Sequence, residues 1–170
     1  MATSMGMTPL GGIPMATRSG DLDPGAVLYM LDALGMSPSQ VREVLYRQSG
    51  LLGLSEESGD LQVLLGSSRL HSAEAVAFFI EAVQREIASL AGALGGLDTL
   101  VFTAGIGERA PVLRARVCAA CAWMGVRIDQ GLNDANANGI HASASAIRVL
   151  VVRADEEAMI AKHVRGLLLV

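Results

Sequence analysis

Residues 98–111, Asp98-Thr-Leu-Val-Phe-Thr-Ala-Gly-Ile-Gly-Glu-Arg-Ala-Pro111, decide the fold that this sequence predicts. The apolar run over 98–103 predicts a buried strand, and the glycines at 105 and 107 predict a turn. Pro111 has the backbone angle of a first helical residue and predicts a helix. A strand, a glycine turn and a helix in succession are typical of α/β folds. Backbone N–H groups at such a turn, together with the helix dipole, favour a bound anion.

Apolar strands and amphipathic helices alternate along the rest of the chain, which agrees with an α/β domain. The expected elements in chain order are a short strand and loop up to Pro9, helices from Pro24 and Pro38, a loop over 50–58, a long helix over 72–94 capped by Ser72, the strand over 98–103, a helix from Pro111, strands over 126–128, 140–143 and 147–152, and a helix over 155–168.

The composition bounds the class of protein. The 170 residues are 51% hydrophobic but only 4% aromatic, so one domain with an aliphatic core is expected. The formal net charge of −4 gives no attraction for nucleic acid or anionic lipid. Charges at Glu81, Arg85 and Glu86 interrupt the longest apolar helix, so we expect no membrane span. Because the start of the chain has no basic and apolar leader, we expect a cytoplasmic protein.

Two motifs admit other functions. Cys118 and Cys121 form a Cys-x-x-Cys pair that could serve redox chemistry or half a zinc site, but at helical spacing we expect small core residues. Residues 105–110 also satisfy the Gly-x-Gly-x-x-Ala dinucleotide fingerprint, with Asp129 near the position of a ribose-binding acid. A P-loop is excluded, because the only lysine is Lys162 and no Gly-x-x-x-x-Gly-Lys run occurs.

Arg18 lies in a segment of small, hydroxylated and acidic residues, Met15-Ala-Thr-Arg-Ser-Gly-Asp-Leu-Asp-Pro24. A guanidinium group with so little bulk around it suits a planar anion, because its donors match carboxylate or phosphate oxygens two at a time. The alternative is a surface arginine paired with Asp21 or Asp23.

Four segments, in order along the chain, resemble the acetokinase family of acetate, propionate and butyrate kinases. They are Thr3-Ser-Met-Gly-Met-Thr-Pro-Leu10, the Arg18 segment over 15–24, Val101-Phe-Thr-Ala-Gly-Ile-Gly-Glu108 and Asp155-Glu-Glu-Ala-Met-Ile-Ala161. The resemblance implies an α/β kinase domain of the actin/hexokinase (ribonuclease H-like) type, a mixed sheet flanked by helices. It begins in the middle of the family's pattern, so we expect the N-terminal strands and the whole N-terminal domain to be missing. Residues 1–154 would then form an incomplete C-terminal, nucleotide-side domain, and residues 155–170 a terminal helix that in the family packs on the N-terminal domain.

The resemblance also implies a reaction, the Mg²⁺-dependent transfer of a phosphoryl group between ATP and acetate. It assigns Arg18 as transition-state stabiliser, Pro9 to the acyl pocket and Glu156 to Mg²⁺. The nucleotide-binding residues that it implies are Asp60, Leu61, Gln62, Gly105, Ile106, Gly107, Glu108 and Arg109. Gln62 and Arg109 stand where the family has an arginine and an asparagine, and we expect weakened nucleotide binding. Glu156 can instead serve as a first-turn carboxylate that stabilises its own helix.

Several functional outcomes remain open at this point. The family's remaining catalytic groups lie in an N-terminal half with no counterpart here, so we expect the isolated chain to be inactive. The expected partners are ATP or ADP, acetate or acetyl phosphate, a separate N-terminal half and a second copy in a homodimer. A fragment of a propionate or butyrate kinase is one alternative. A non-catalytic truncated protein that acts as a dimerisation or interaction module is another, and a dinucleotide-binding domain is a third.

Overall fold

The computed structural model describes residues 2–168, and these form two compact units. The first unit runs up to Leu97 and includes Ala119–Cys121, and the second comprises Asp98–Cys118 and the chain from Ala122 onward. The terminal helix expected over 155–170 is described up to Leu168, so its residues 169 and 170 lie outside the described residues. The division expected after residue 154 stays a prediction.

The first unit is helical. Its helices are α1 (Pro24–Asp32), α2 (Pro38–Arg47), α3 (Gly50–Ser55), α4 (Leu61–Gly66) and α5 (Leu70–Leu94). Side-chain caps fix where the first two begin: the Asp23 carboxylate accepts a hydrogen bond from the Gly25 N–H at 2.8 Å, and Ser37 and Gln40 form a capping box. The helix starts predicted at Pro24 and Pro38 are therefore confirmed.

The core of the first unit lies where the short helices α3 and α4 pack on α5. Its buried apolar side chains are Val41, Leu51, Leu61, Leu64, Ala75, Val76 and Ile80. Helix α5 ends where Gly95 adopts a left-handed φ of 76°, as glycine does at many helix ends. The cap predicted at Ser72 is wrong, because α5 begins at Leu70 and the Ser72 hydroxyl donates to the Glu57 carboxylate instead.

Gly50 allows a close backbone approach that the sequence analysis missed. The predicted loop over 50–58 is partly wrong, because α3 occupies Gly50–Ser55. Gly50 has a φ of +62°, and a Cβ there would overlap the Met15 carbonyl oxygen and lie 2.6 Å from that of Arg18. The Leu51 N–H donates to the Met15 carbonyl at 2.9 Å. Glycine at this position therefore serves to hold the Arg18 segment against α3.

The second unit contains a parallel pair of strands with helices between and after them. Its elements are β1 (Thr99–Phe102), α6 (Ala104–Arg109), α7 (Pro111–Ala120), a 3-10 turn over Ala122–Met124, α8 (Gln130–Asp134), β2 (Arg148–Val151) and α9 (Glu156–Leu168). Strand β1 pairs with β2 from Thr99 opposite Arg148 to Phe102 opposite Val151. The buried apolar side chains of this unit include Leu113, Val117, Val126, Ile140, Ile147 and Val149. Isolated antiparallel bridges make the pairing mixed.

Three of the predicted strands are not formed. The strands expected over 126–128 and 140–143 reduce to one bridge between Ile128 and His141, because Asp129 turns at once to cap α8. No strand forms within residues 2–10 either, since hydrogen bonds there are local, such as Leu10 N–H to Thr8 Oγ1 at 3.3 Å. No helix within residues 2–168 is long and apolar enough to cross a membrane.

A carboxylate joins two helices of the first unit. The Glu57 side chain accepts hydrogen bonds from the Ser72 hydroxyl and, at 2.8 Å, from the Ser67 hydroxyl. These two bonds, the Ser72 bond first, hold the pKa of Glu57 below its ordinary value. A carboxylate with a lowered folded pKa stabilises the fold above its unfolded pKa, and this contribution is lost as pH falls through the folded pKa.

We expect Gly50→Ala to destabilise the chain by at least about 3 kcal/mol, because the new Cβ meets backbone and the left-handed φ is strained. Urea unfolding measures this. Gly66→Ala is the matched control, since Gly66 is helical and its Cβ would meet no atom within 4 Å. The control should be neutral or stabilising by up to about 1 kcal/mol. Equal stability of the two variants would contradict the close approach.

We also expect the stability lost in Glu57→Gln to depend on pH. The urea midpoint of the variant should lie below that of the unmodified chain near neutral pH, and the two should converge as the pH falls below the ordinary glutamate pKa of about 4.3 and Glu57 becomes protonated. Glu74→Gln removes an exposed carboxylate that makes no side-chain hydrogen bond within residues 2–168, and serves as the control. A pH-independent difference for Glu57→Gln would count against the carboxylate's role.

Candidate functional site

The carboxyl ends of β1 and β2 meet at one edge of the second unit. The strands are parallel, so α6 after Phe102 and residues 152–155 after Val151 leave from the same edge. Ligands of open α/β sheets bind outside the carboxyl ends of the strands. The predicted nucleotide-binding residues 105–109 and the predicted metal ligand Glu156 both follow these strand ends.

A cleft of 360 Å³ at this edge brings these two predicted groups together. Its lining residues are Ala104, Gly105, Glu108, Arg109, Ala154, Asp155, Glu156 and Glu157, and we name it the carboxylate cleft. The Ala154 N–H donates to Glu108 Oε1 at 2.8 Å, which links α6 to the segment that leads into α9. This hydrogen bond joins the two sides of the cleft.

The glycine turn expected over 105–107 is a short helix, α6. Neither Gly105 nor Gly107 has a positive φ; the left-handed residue is Ala104, at 59°. Gly107 is needed for packing, because a Cβ there would lie 3.3 Å from the Phe102 carbonyl carbon. A Cβ on Gly105 would meet nothing within 4 Å, so glycine there keeps the wall of the carboxylate cleft free of side chain.

Arg114 on α7 supports this wall from beneath, and the sequence analysis missed it. Its side chain is only 1% exposed. Nη1 donates to the carbonyls of Gly107 at 2.9 Å and Glu108 at 3.0 Å. Nε and Nη2 donate to Asn133 Oδ1 and its carbonyl, at 2.9 and 2.8 Å, and Nη2 also reaches Asn136 Oδ1 at 2.7 Å. The guanidinium therefore fixes the end of α6 against α8.

Burial lowers the pKa of Arg114, since the protonated form loses its hydration. An arginine nevertheless stays charged in proteins, and here carbonyl and amide oxygens surround the charge. A signal for this residue was present: Arg114 shares a helical face with Ala110, four residues before it, and with Val117 and Cys121, three and seven residues after it. An arginine on a buried face requires a set of acceptors.

Arg18 is half-buried in the first unit and makes no pair with a carboxylate within residues 2–168. Asp21 Oδ1 accepts from the Gly12 N–H and Asp23 Oδ1 from the Gly25 N–H, so the alternative ion pairs are not formed. The hydrogen bond of the Arg18 guanidinium is a weak one to Met15 Sδ at 3.5 Å. Its donors are therefore largely available to a ligand.

The backbone around Arg18 is held more firmly than its side chain. Ser19 N–H donates to the Leu45 carbonyl and Ser49 N–H to the Thr17 carbonyl, at 3.0 and 3.1 Å. The Thr17 hydroxyl also donates to the Tyr46 carbonyl at 2.9 Å. These bonds attach the Arg18 segment to the last turn of α2 and to Ser49, which lies between α2 and α3.

The other predicted residues of the first unit have structural roles. Pro9 is half-buried in the opening loop. Asp60 caps α4, with Oδ1 accepting from the Gln62 N–H at 2.8 Å, and the Gln62 side chain is exposed. Leu61 is only 2% exposed, so its side chain belongs to the core. Nucleotide contacts by residues 60–62 stay a prediction.

The magnesium ligand predicted at Glu156 stays a prediction. No cluster of three or more His, Cys, Asp or Glu side chains that could hold a metal occurs within residues 2–168. Asp155 Oδ1 accepts from the Ala158 N–H and so caps α9. Mg²⁺ is commonly held by one or two carboxylates together with substrate phosphates and water. Glu156 fits one such ligand position.

The two other motif hypotheses fail. Cys118 and Cys121 are buried and form no disulfide, and burial raises the pKa of the Cys121 thiol, so both are core residues as expected. Asp129 caps α8 through Oδ1, which accepts from the Leu132 N–H at 2.9 Å, and follows no strand. The dinucleotide fingerprint therefore lacks the second strand that would present a ribose-binding acid.

We expect Arg114→Met to destabilise the chain by about 3 kcal/mol or more, because it leaves several buried acceptors without a donor. The stability of Arg114→Lys should lie between that of Arg114→Met and that of the unmodified chain, because an ammonium group has three donors but lacks the planar geometry of a guanidinium. Arg116→Met, on the exposed face of the same helix, should stay within about 0.5 kcal/mol in the same urea titration. Similar losses of stability for Arg114→Met and Arg116→Met would contradict the stabilising role of the Arg114 hydrogen bonds.

A family model described as the Acetokinase family matches residues 1–162. Acetate kinase of Rhodopseudomonas palustris (strain TIE-1) is 47% identical over 166 residues, which make up 96% of this chain and 42% of that protein. The chain thus spans about two fifths of the length of the curated relatives that it matches.

Solved structures give the same result. Porphyromonas gingivalis acetate kinase superposes with a TM-score of 0.88 at 34% identity, over 97% of this chain and 43% of that one. A propionate kinase from Francisella tularensis gives 0.87 at 35% identity, over 93% and 41%. The predicted α/β kinase fold, present in part, is therefore confirmed. Matched by the family model over nearly its whole length, the chain belongs to the acetokinase family.

Proposed function

We propose that this chain forms the nucleotide side of a kinase that transfers a phosphoryl group between ATP and acetate, giving acetyl phosphate and ADP. The supporting observation is the carboxylate cleft, which both the open backbone at Gly105 and the Glu156 residue line at the strand ends. A phosphate chain beside Gly105 would lie within reach of a divalent ion held by Glu156.

The chain's residues divide the work of phosphoryl transfer. Residues 105–109 position the nucleotide, and the buried Arg114 keeps them in place. Bound Mg²⁺ would neutralise charge on the phosphate oxygens, and Glu156 would supply one of its ligands. The Arg18 guanidinium would stabilise the negative charge that develops on the transferred group, because its donors are otherwise engaged only by a sulfur. Pro9 would border the acyl group.

Catalysis requires more than these groups. Phosphoryl transfer depends on holding both substrates in line from several sides. Since the chain spans about two fifths of its relatives, we propose that it acts with a further portion corresponding to the rest of their length and is inactive alone. Exposed apolar side chains on α1, Leu28 and Tyr29 among them, support the proposed homodimer. The need for ATP supports a cytoplasmic location.

Two alternatives have observations in their favour. The match to a propionate kinase leaves the length of the acyl acceptor open, so propionate or butyrate could replace acetate. A non-catalytic role as an association module agrees with the apolar side chains that α9 exposes, among them Ile160 and Leu167. The acceptor series and the mixing experiment below separate these alternatives.

The test mixes this chain with the N-terminal portion of the Rhodopseudomonas palustris acetate kinase that precedes its matched region. We expect no acetyl phosphate from either piece alone and ATP-dependent acetyl phosphate from the mixture. In the active mixture, Arg18→Ala should lower kcat by about 10³-fold or more with little change in ATP affinity. Arg47→Ala, which removes an exposed arginine of α2, is the control.

Each result decides one part of the proposal. Turnover by the chain alone would contradict its dependence on a second portion, and a mixture inactive with acetate, propionate and butyrate would favour the association module. An unchanged kcat for Arg18→Ala would make that arginine structural. A preference for propionate or butyrate over acetate would reassign the acceptor and leave the phosphoryl-transfer role intact.

A further inference from the structure

A second, larger cleft lies on the second unit beside the carboxylate cleft. It measures 600 Å³ and is lined by Glu108, Arg109, Asn136, Asn138, Val151, Arg153 and Ala154. We name it the arginine cleft. It shares Glu108, Arg109 and Ala154 with the carboxylate cleft, but its other polar lining consists of carboxamides and a second guanidinium.

The two guanidinium groups of the arginine cleft have no partner in the part of the chain that the structure describes. Neither the Arg109 nor the Arg153 side chain makes a hydrogen bond or an ion pair within residues 2–168, and both residues are exposed. Each offers five N–H donors and a fixed positive charge. Two such groups on the wall of one concave site raise the local concentration of anions.

A third donor in this cleft is held in a fixed orientation. Asn136 Oδ1 accepts from Nη2 of the buried Arg114 at 2.7 Å. Because a guanidinium only donates, this bond determines which atom of the Asn136 carboxamide faces Arg114. The Asn136 Nδ2 group is therefore left as a free donor on a residue that lines the cleft.

The charge balance of the cleft favours an anion. Its one carboxylate is Glu108, and Glu108 Oε1 already accepts from the Ala154 N–H at 2.8 Å. The remaining acids at this edge, Asp155, Glu156 and Glu157, line the neighbouring carboxylate cleft instead. The two positive charges of Arg109 and Arg153 therefore outnumber the single negative charge of Glu108 in this cleft.

We propose that the arginine cleft binds a phosphate group, held by Arg109, Arg153 and Asn136. A phosphate offers at least three acceptor oxygens and about 1.5 to 2 negative charges near neutral pH, and it therefore matches two forked donors and an amide better than a carboxylate does. Inorganic phosphate and a phosphate of the bound nucleotide share this chemistry. The inference goes beyond the proposed transfer reaction, because it concerns binding and requires no turnover.

The experiment titrates the 170-residue chain with inorganic phosphate by calorimetry at constant ionic strength, with acetate as the comparison anion. We expect saturable phosphate binding that is tighter than acetate binding. Arg153→Gln and Arg109→Gln should each weaken phosphate binding about tenfold, the effect of losing a charge-assisted hydrogen bond. Arg116→Gln removes the same charge from a residue of the second unit that lines neither cleft, and should have no effect. Thermal unfolding checks that every variant folds. We expect all three to fold, because the substituted residues are exposed.

The outcomes are distinguishable. Equal weakening by all three substitutions, or no saturable binding of phosphate, would overturn the proposal. If ADP and phosphate compete and Arg153→Gln weakens ADP binding, the cleft takes a nucleotide phosphate. If both bind together and ADP binding is unchanged, it takes free phosphate. Failure of the mixing experiment would contradict the proposed phosphoryl transfer but would not affect the measured binding of phosphate to this chain.

Discussion

The buried guanidinium of Arg114 is the interaction on which the ligand edge of the second unit depends. Its charge lies among carbonyl and amide oxygens rather than opposite a carboxylate, and each N–H direction meets an acceptor. Desolvating a charge is costly unless its hydrogen bonds are all replaced. The carbonyls of Gly107 and Glu108 can therefore move little without leaving a donor of this group unsatisfied. The wall of the carboxylate cleft and the carboxamide of Asn136 both derive their positions from this one side chain.

A comparable constraint operates in the first unit, although it is steric. The backbone of the Arg18 segment approaches Gly50 so closely that no side chain fits between them, and the Leu51 N–H completes the contact with the Met15 carbonyl. The contacts of the backbone therefore fix the position of Arg18, while its side chain keeps most of its donors available. A fixed backbone, with a guanidinium that pairs with no carboxylate within residues 2–168, suits a residue that binds an anionic ligand.

The sequence predicted what depends on local patterns and missed what depends on contacts between distant segments. The caps at Asp23 and Ser37, the strand at Thr99–Phe102 and the burial of Cys118 follow from short-range signals, and the structure contains them. Residues 105–107 are helical and the left-handed residue of this segment is Ala104, whereas the sequence suggested a glycine for that conformation. Arg114 and Asn133 are nineteen residues apart, so local periodicity could place Arg114 on a buried face but could not name its acceptors. The family motifs supplied the site residues, and of those in the second unit Gly105, Glu108, Arg109 and Glu156 line one cleft.

The two clefts at this edge differ in charge although they share the wall formed by Glu108, Arg109 and Ala154. The hydrogen bond from the Ala154 N–H to Glu108 holds that wall in place. On one side, the Glu156 carboxylate would suit a metal-bound phosphate; on the other, two arginines and an amide suit a bare anion. The positive side depends on Arg109 and Arg153, and Arg109 stands at a position where the resemblance implies an uncharged asparagine. Two arginines that the fold brings to the same cleft give this chain an anion-attracting surface that the family motifs alone do not predict.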